Sequence, residues 1–198
     1  VKESTGNVKI SKDFIFKNVD INLSTGDVDF CSPSSESVKI KTSTGNIGVN
    51  QASLDTLELS TSTGTVTVCG VKCSGDIKIN ASADRVSLTD ITCKSFKSTG
   101  DMGDILLKNV IASEKLIIER DTGNVKFDGC DAAEINVETD TGDVTGSLLT
   151  EKVFIVDSDT GEVDVPKSVS GGKCEIETDT GNIKIKTNGY KVYASYPR

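Results

Sequence analysis

The sequence predicts an all-β fold, a single-stranded parallel β-helix or β-solenoid of about ten coils with 19–20 residues each. Three observations predict it: a glycine turn recurs at a nearly fixed interval, aliphatic residues recur at fixed positions around that turn, and helical periodicity is absent. Successive turns lie 19 or 20 residues apart once Asp84 is counted as a turn that has lost its glycine. The turn glycines are Gly6, Gly26, Gly45, Gly64, Gly103, Gly123, Gly142, Gly161 and Gly181.

Two short strands flank each turn. Apolar residues stand seven and five positions before the turn, as Val38 and Ile40 do before Gly45, and two and four positions after it, as Ile47 and Val49 do. They alternate with polar residues, which is the pattern of a half-buried strand. Because apolar residues of one position stack on those of neighbouring coils, we expect a continuous interior that only the whole array can bury.

A weaker third side completes each coil. It begins seven residues after the turn, with Ala52, Val71, Ile91, Val110, Cys130 and Leu149. The handedness of crossovers between parallel strands predicts a right-handed path. We expect the solenoid to occupy residues 1–186 and residues 187–198 to form a C-terminal capping tail, because an exposed strand edge needs cover and the tail holds Tyr190, Tyr193 and Tyr196.

The recurring motif carries a family resemblance. Residues 43–47 (STGNI) and 121–125 (DTGNV) are typical copies, and the pattern extends from residue 4 to about residue 186. It resembles a bacterial family of β-strand-repeat domains that carries an adhesin label and is classed as a domain of unknown function. The resemblance implies an envelope-facing protein, with a membrane anchor or secretion signal upstream, and it implies no catalytic residues.

The charge of the chain restricts its partners. The net charge is −8, and the acidic excess lies in the second half of the sequence. An acidic body without a basic patch argues against nucleic acid or an anionic lipid surface as a partner. No apolar run reaches the ~18–20 residues of a membrane span. Val1 lies directly within a repeat, so we expect a fragment or processed form whose contact with a membrane is limited to an upstream anchor.

One acidic column is the candidate metal site. Two residues before the turn, the last five coils carry Asp101, Asp121, Asp140, Asp159 and Asp179, where the first five carry Ser. Stacking predicts a line of carboxylates, which hard cations such as calcium prefer. The alternative is that Ser and Asp accept a hydrogen bond from a backbone N–H two residues on. The Ser-to-Asp exchange favours this turn role, so these five residues stay a weak metal candidate and we expect no metal and no cofactor.

The six cysteines raise the question of a disulfide. Cys73 and Cys93 occupy one position in adjacent coils, close enough to bridge, but their parallel side chains disfavour the dihedral angle that a disulfide needs. We expect six free thiols and leave a Cys73–Cys93 bridge open. The chain has no His to activate a thiol as a nucleophile.

The remaining choice is between a binding module and an enzyme. Polysaccharide-acting β-helix enzymes need long loops as groove walls, and coils of 19–20 residues leave no room for them. A cavity lined by clustered carboxylates and Arg would favour the enzyme. Arg120 replaces the usual Thr three residues before a turn, and we expect it to form a salt bridge with Asp101 or Asp121.

We therefore expect a non-catalytic cell-surface solenoid, extracellular on a bacterial envelope. It would act as an adhesion or interaction module for a glycan or protein ligand, as a monomer whose ends could make end-to-end contacts. The alternative is a structural spacer or sensor ectodomain, and the polysaccharide-acting enzyme is the third hypothesis.

Overall fold

A computed structural model describes residues 1–188, which contain nineteen parallel strands and no helix. The strands are β1 (Lys2–Thr5), β2 (Val8–Ile10), β3 (Asn18–Thr25), β4 (Val28–Phe30), β5 (Ser34–Thr44), β6 (Ile47–Asn50), β7 (Ser53–Thr63), β8 (Val66–Cys69), β9 (Lys72–Cys73), β10 (Asp76–Ala81), β11 (Val86–Met102), β12 (Ile105–Thr122), β13 (Val125–Cys130), β14 (Glu134–Thr141), β15 (Val144–Leu148), β16 (Lys152–Thr160), β17 (Val163–Asp164), β18 (Gly172–Thr180) and β19 (Ile183–Thr187). They follow about nine turns of a solenoid with ten glycine-type corners, which confirms the predicted fold. We number the coils by these corners, from coil 1 at Gly6 to coil 10 at Gly181.

Most corners need glycine because the backbones of neighbouring coils lie too close together there to leave room for a side chain. A Cβ atom on Gly45 would lie 2.0 Å from the carbonyl oxygen of Gly26 in the coil below. Gly45 also has a φ of +149°, which residues with a side chain rarely adopt. Asp84 occupies the fifth corner, since a Cβ on Gly103 would lie 2.3 Å from its carbonyl oxygen.

A second corner lies six residues after the first and explains the three-sided coil. Its residues adopt left-handed backbone angles, with φ between 50° and 65°, at Gln51, Gly70, Asp90, Asn109 and Gly129. Asn and Asp tolerate this conformation better than other residues with side chains. The third side follows this corner, and it is the least regular because only some coils form strand there.

The interior is one continuous apolar column. Residues that the alternation places inward are almost fully buried from Val19 to Ile185 except in coil 9, with Phe30, Phe96 and Phe127 as the largest buried side chains. The third side differs in one coil, where Leu148 is buried and Leu149 is exposed. A shift in register between β13 and β15 moves the inward position by one residue.

The last two coils are stacked in the reverse of their sequence order. Strand β18 of coil 10 pairs with β14 of coil 8 on one side and with β16 of coil 9 on the other. Strand β19 likewise lies between β15 and β17. Coil 9 is therefore the outermost coil of residues 1–188, and its Val163 is 43% exposed whereas Ile183 of coil 10 is 0% exposed. The sequence had predicted neighbours in simple succession.

Two glycines at the start of coil 10 allow it to lie between coils 8 and 9. A Cβ on Gly172 would lie 2.2 Å from the carbonyl oxygen of Ala133, and one on Gly171 would lie 2.0 Å from that of Glu151. These two glycines let the start of coil 10 pass between coils 8 and 9. No helix in residues 1–188 has the length and apolarity needed to cross a bilayer. The predicted cap formed by Tyr190, Tyr193 and Tyr196 lies outside the described residues.

A pair of isoleucines in β12 tests the inward assignment. Ile118 is fully buried and Ile117, on the opposite face, is only partly buried. Ile118→Ala removes packed core atoms and should lower the free energy of unfolding by about 2–5 kcal/mol. Ile117→Ala should lower it by no more than about 1 kcal/mol. Urea unfolding followed by circular dichroism measures both, and equal losses would show that the two faces are wrongly assigned.

Candidate functional site

The five aspartates of the predicted ladder do form one line. Strand pairing places Gly100 beside Arg120 and Met102 beside Thr122, so the residues between, Asp101 and Asp121, are neighbours. Pairing of the later strands extends the line. Its order follows the reversed coils and is Asp101, Asp121, Asp140, Asp179 and Asp159.

A second acidic row runs beside this ladder. It holds the residues four positions before each corner, in the order Glu119, Glu138, Glu177 and Asp157. We call the two rows together the acidic strip. Glu119 pairs with Lys97 at 2.6 Å, and the other eight carboxylates make no ion pair within residues 1–188. The strip is thus a long surface of largely uncompensated negative charge.

The carboxylates of the strip do not converge. Within the part of the chain that the structure describes, no group of three His, Cys, Asp or Glu side chains is close enough to hold a metal ion. Neighbouring coils set the spacing of the carboxylates, at ~4.8 Å between strands. The arrangement is therefore suited to an extended ligand with repeated polar or cationic groups.

The predicted turn role of the ladder is wrong. No side chain two positions before a corner, whether Ser or Asp, makes a hydrogen bond within residues 1–188. The residue one position after the corner makes the bond instead, between coils. The backbone N–H of Asn46 donates to Asp27 Oδ1 at 2.8 Å, and that of Thr65 donates to Asn46 Oδ1 at 2.9 Å.

In this corner ladder, formed by the residues one position after each corner, Asn alternates with Asp or Glu except at Thr65 and Arg85, which keeps carboxylates apart. Asn124 lies between Asp104 and Asp143, and its Nδ2 donates to Asp104 Oδ1 at 3.1 Å. The same alternation holds through the reversed coils, where Asn182 lies between Asp143 and Glu162. Stacking in sequence order would place Asp143 directly beside Glu162. The Asn or Asp that follows most of the corner glycines is visible in the sequence, but its hydrogen-bond partner lies one coil away.

A threonine ladder supports the same corner from inside. Three positions before the corner, Thr61 Oγ1 donates to the carbonyl oxygen of Gly45 at 3.1 Å. Thr178 does the same to Gly142 at 3.2 Å, and Ser158 to Gly181 at 2.9 Å. These partners again follow the order of coils 8, 10 and 9.

Arg120 breaks the threonine ladder and points into the solenoid. Its guanidinium donates to the carbonyl oxygen of Ala81, two coils away, at 2.5 Å and to Ser98 Oγ at 3.1 Å. Gly100 makes room for it, because a Cβ there would lie 2.0 Å from the Arg120 Nη1 atom. Burial lowers the pKa of Arg120 from its ordinary value, and the charge of Asp101 partly offsets this shift. The predicted salt bridge with Asp101 or Asp121 is wrong.

A cavity of about 350 Å³ opens on the acidic strip at this point. Asp101, Asp121, Glu138 and Asp140 line it, and Arg120 contributes to its wall. This is the composition that the enzyme hypothesis requires. However, Arg120 is 3% exposed and its Nη1 and Nη2 atoms are committed to partners inside the protein, so a ligand does not meet a free guanidinium.

The thiols lie elsewhere, and all six are free. Cys73 and Cys93 are buried next to each other, and burial, followed by the neighbouring thiol, raises the pKa of Cys93 to about 12. Burial raises the pKa of Cys174 to about 12 as well. A separate groove of about 720 Å³ passes Cys73, Leu54 and Phe16. Because their pKa values are raised, the thiols of Cys93 and Cys174 are poor nucleophiles.

Comparison with protein families identifies the repeat. The family model described as Toastrack DUF4097 matches residues 1–83 and 71–196, which together span almost the whole sequence. The chain belongs to the Toastrack family. Toastrack is a domain of unknown function with a β-solenoid repeat structure, which agrees with that part of the predicted resemblance. No curated protein and no solved structure matches this Toastrack chain.

The corner ladder and the acidic strip should respond differently to mutation. Asn124→Ala removes an acceptor for the N–H of Asp143 and a donor to Asp104, so it should lower the free energy of unfolding by about 0.5–1.5 kcal/mol. Asp121→Ala removes no hydrogen bond and should change stability by about 0.5 kcal/mol or less. Thermal unfolding of both variants measures the difference. A larger loss for Asp121→Ala would contradict the assignment of the corner role.

Proposed function

We propose that this Toastrack chain is a non-catalytic interaction module, displayed on the outside of a bacterial envelope and used for adhesion. The observation that carries the proposal is the acidic strip, in which eight of nine carboxylates have no ion-pair partner among the described residues. Such a row repels itself, by about 0.8 kcal/mol per neighbouring pair at ~5 Å in water. A surface on which unpaired carboxylates are aligned from coil to coil is suited to a partner that carries positive charge or hydrogen-bond donors.

The chemistry of the strip defines the ligand class. Carboxylates accept hydrogen bonds from hydroxyl and ammonium groups, so the strip suits a neutral or amino-bearing glycan, or a protein surface rich in Lys and Arg. Its extended geometry matches a chain-like ligand better than a compact one. Nucleic acid, anionic lipid and acidic glycans are disfavoured by the sign of the field.

Three features of the acidic cavity support binding over catalysis. Arg120 is turned inward, Glu119 is held by Lys97 at 2.6 Å, and coils of uniform length give the cavity no loop walls that exclude water. Glycoside hydrolysis needs two carboxylates in different environments, one of them kept protonated. The carboxylates of the strip instead occupy repeated, equivalent positions.

Removal of the strip tests the proposal. The triple variant Asp121→Asn, Asp140→Asn and Asp179→Asn keeps the shape and removes three charges from the centre of the strip. We expect the natural chain to bind neutral or amino-bearing glycans, or basic proteins, on an array at physiological salt. The triple variant should lose most of its binding to amino-bearing glycans and basic proteins, because the charge of the natural strip sets that attraction.

A matched variant controls for general charge effects. Asp55→Asn, Asp76→Asn and Asp90→Asn removes the same number of charges away from the strip and should bind like the natural chain. Equal loss in both variants would contradict a specific role for the strip. The absence of any binding would contradict the adhesion proposal and favour a structural spacer or sensor ectodomain, and release of sugar products from a bound polysaccharide would favour the enzyme.

A further inference from the structure

The two ends of the solenoid expose strand edges that no described residue covers. Strand β1 pairs only with β3, and β16 and β17 of coil 9 pair only with β18 and β19. Val8 and Ile10 of coil 1 are only partly buried, although Val28 and Phe30, at the same positions of coil 2, lie in the core. An uncovered edge of this kind is a template for a further strand.

The corner of coil 1 has the shape of a stacked corner but no coil beneath it within residues 1–188. Gly6 has a φ of +149°, the same angle as Gly45, yet a Cβ atom on Gly6 would meet no atom within 4 Å. A Cβ on Gly26 would collide with the carbonyl oxygen of Gly6 in the coil below. Coil 1 therefore leaves open the space that a carbonyl oxygen occupies at the other corners.

Coil 9 presents the groups that such a corner needs. Corner N–H groups donate to the residue before the corner of the next coil, as Gly181 does to the carbonyl oxygen of Thr160 at 3.0 Å. The N–H of Gly161 has no backbone acceptor within residues 1–188. Because the missing Cβ of Gly161 faces coil 10, its carbonyl oxygen faces the open side. The two ends of the rod are thus the two halves of one corner contact.

We propose that this chain assembles head to tail, with coil 1 of one copy stacked on coil 9 of the next. The N–H of Gly161 donates to the carbonyl oxygen of Thr5 in the second copy, and Gly6 of that copy packs against the carbonyl oxygen of Gly161. Alignment of the corners then sets the register of every other contact. The contact joins two different surfaces, so it adds copies along the rod without closing a ring.

The apolar residues of the two ends match in this register. Val8 meets Val163, two positions after the corner, and Ile10 meets Val165, four positions after it. All four are exposed or only partly buried in the single chain. Stacking therefore extends the apolar interior from one copy into the next, as it does between coils of one chain.

The third sides of the two end coils add further apolar surface. Phe14 of coil 1 is 59% exposed and Val169 of coil 9 is 98% exposed. Both lie eight positions after their corners, so the stack brings the two side chains to the same side of the rod. Burial of such residues favours association.

The charges of the two ends are complementary. Lys2 meets Asp157, four positions before the corner, and Lys9 meets Asp164, three positions after it. Within residues 1–188, Lys9 lies 3.8 Å from Asp29, and the other three residues of these two pairs make no ion pair. Contact between two coil 9 ends would oppose aspartates, and contact between two coil 1 ends would oppose lysines. Charge therefore selects the head-to-tail arrangement.

The corner ladder also continues across the junction. Within the chain, the N–H of Asp27 donates to Asn7 Oδ1 at 2.9 Å, and that of Glu162 donates to Asn182 Oδ1 at 3.0 Å. The junction places Asn7 directly after Glu162, so its N–H meets the Glu162 carboxylate of the other copy. The ladder then reads Asn182, Glu162, Asn7 and Asp27, and no two carboxylates are adjacent.

Two charge-reversed variants of the 198-residue chain test the proposal. The coil 1 variant carries Lys2→Glu and Lys9→Glu, and the coil 9 variant carries Asp157→Lys and Asp164→Lys. In sedimentation velocity, the natural chain should form species of increasing mass as its concentration rises. Either variant alone opposes like charges at each junction, which should weaken association by about tenfold or more. An equimolar mixture should recover association, because every mixed junction pairs opposite charges.

A matched variant controls for the change in net charge. Lys41→Glu with Lys126→Glu reverses the same charges at the same two repeat positions in the middle of the rod, so it should assemble like the natural chain. Weakening in this control equal to that of the coil 1 variant would contradict a contact at the ends.

Two further results would overturn the proposal. A natural chain that stays monomeric at every concentration would favour another occupant of the coil 9 edge, such as residues 189–198. A mixture of the two variants that stays as weakly associated as either one alone would show that coil 1 does not meet coil 9. None of these results depends on binding of a glycan or a basic protein, so they leave the proposed function to its own test.

Discussion

The structure depends on how closely the backbone of one corner lies against the corner beneath it. A Cβ on Gly64 would lie 2.0 Å from the carbonyl oxygen of Gly45, so only glycine allows the coils to meet at strand spacing at most of these points. Asn or Asp after the glycine then accepts the N–H of the next coil, and Thr before it donates to the glycine carbonyl of the coil below. These contacts fix the register in which each coil stacks.

Register at the corners determines both the interior and the outer faces. Inward positions form one continuous apolar column because the corners of all coils are aligned. A shift of one residue would move the inward side chains of a strand to its outer face. The same register places carboxylates of successive coils side by side in the acidic strip. The proposed binding surface and the stability of the stack therefore share one geometric cause, although the strip itself makes no hydrogen bond at the corner.

The sequence was sufficient for the solenoid, its corners and the acidic ladder because these features repeat within each coil. It was not sufficient for contacts that join different coils in only one place. Arg120 looked like a surface residue, yet the missing side chain of Gly100 gives it a path inward to Ala81. Lys152 is 3% exposed, and this burial was equally hidden because it follows from the order of the last coils, in which Lys152 lies beside Gly172 of coil 10.

The order of those coils is the feature that periodicity cannot determine, since coils 9 and 10 satisfy the same columns in either arrangement. Only local details, the glycines at 171 and 172 and the alternation of Asn with Asp at the corners, distinguish the two. Spin labels provide the most direct measurement, attached to cysteines introduced at 140 and 179 or at 140 and 159, with Cys31 and Cys69 replaced by Ser. If the corner contacts set the order, the first pair lies one strand spacing apart, about 5 Å, and the second about 10 Å apart. Stronger dipolar broadening is then expected for 140/179, and stronger broadening for 140/159 would contradict it.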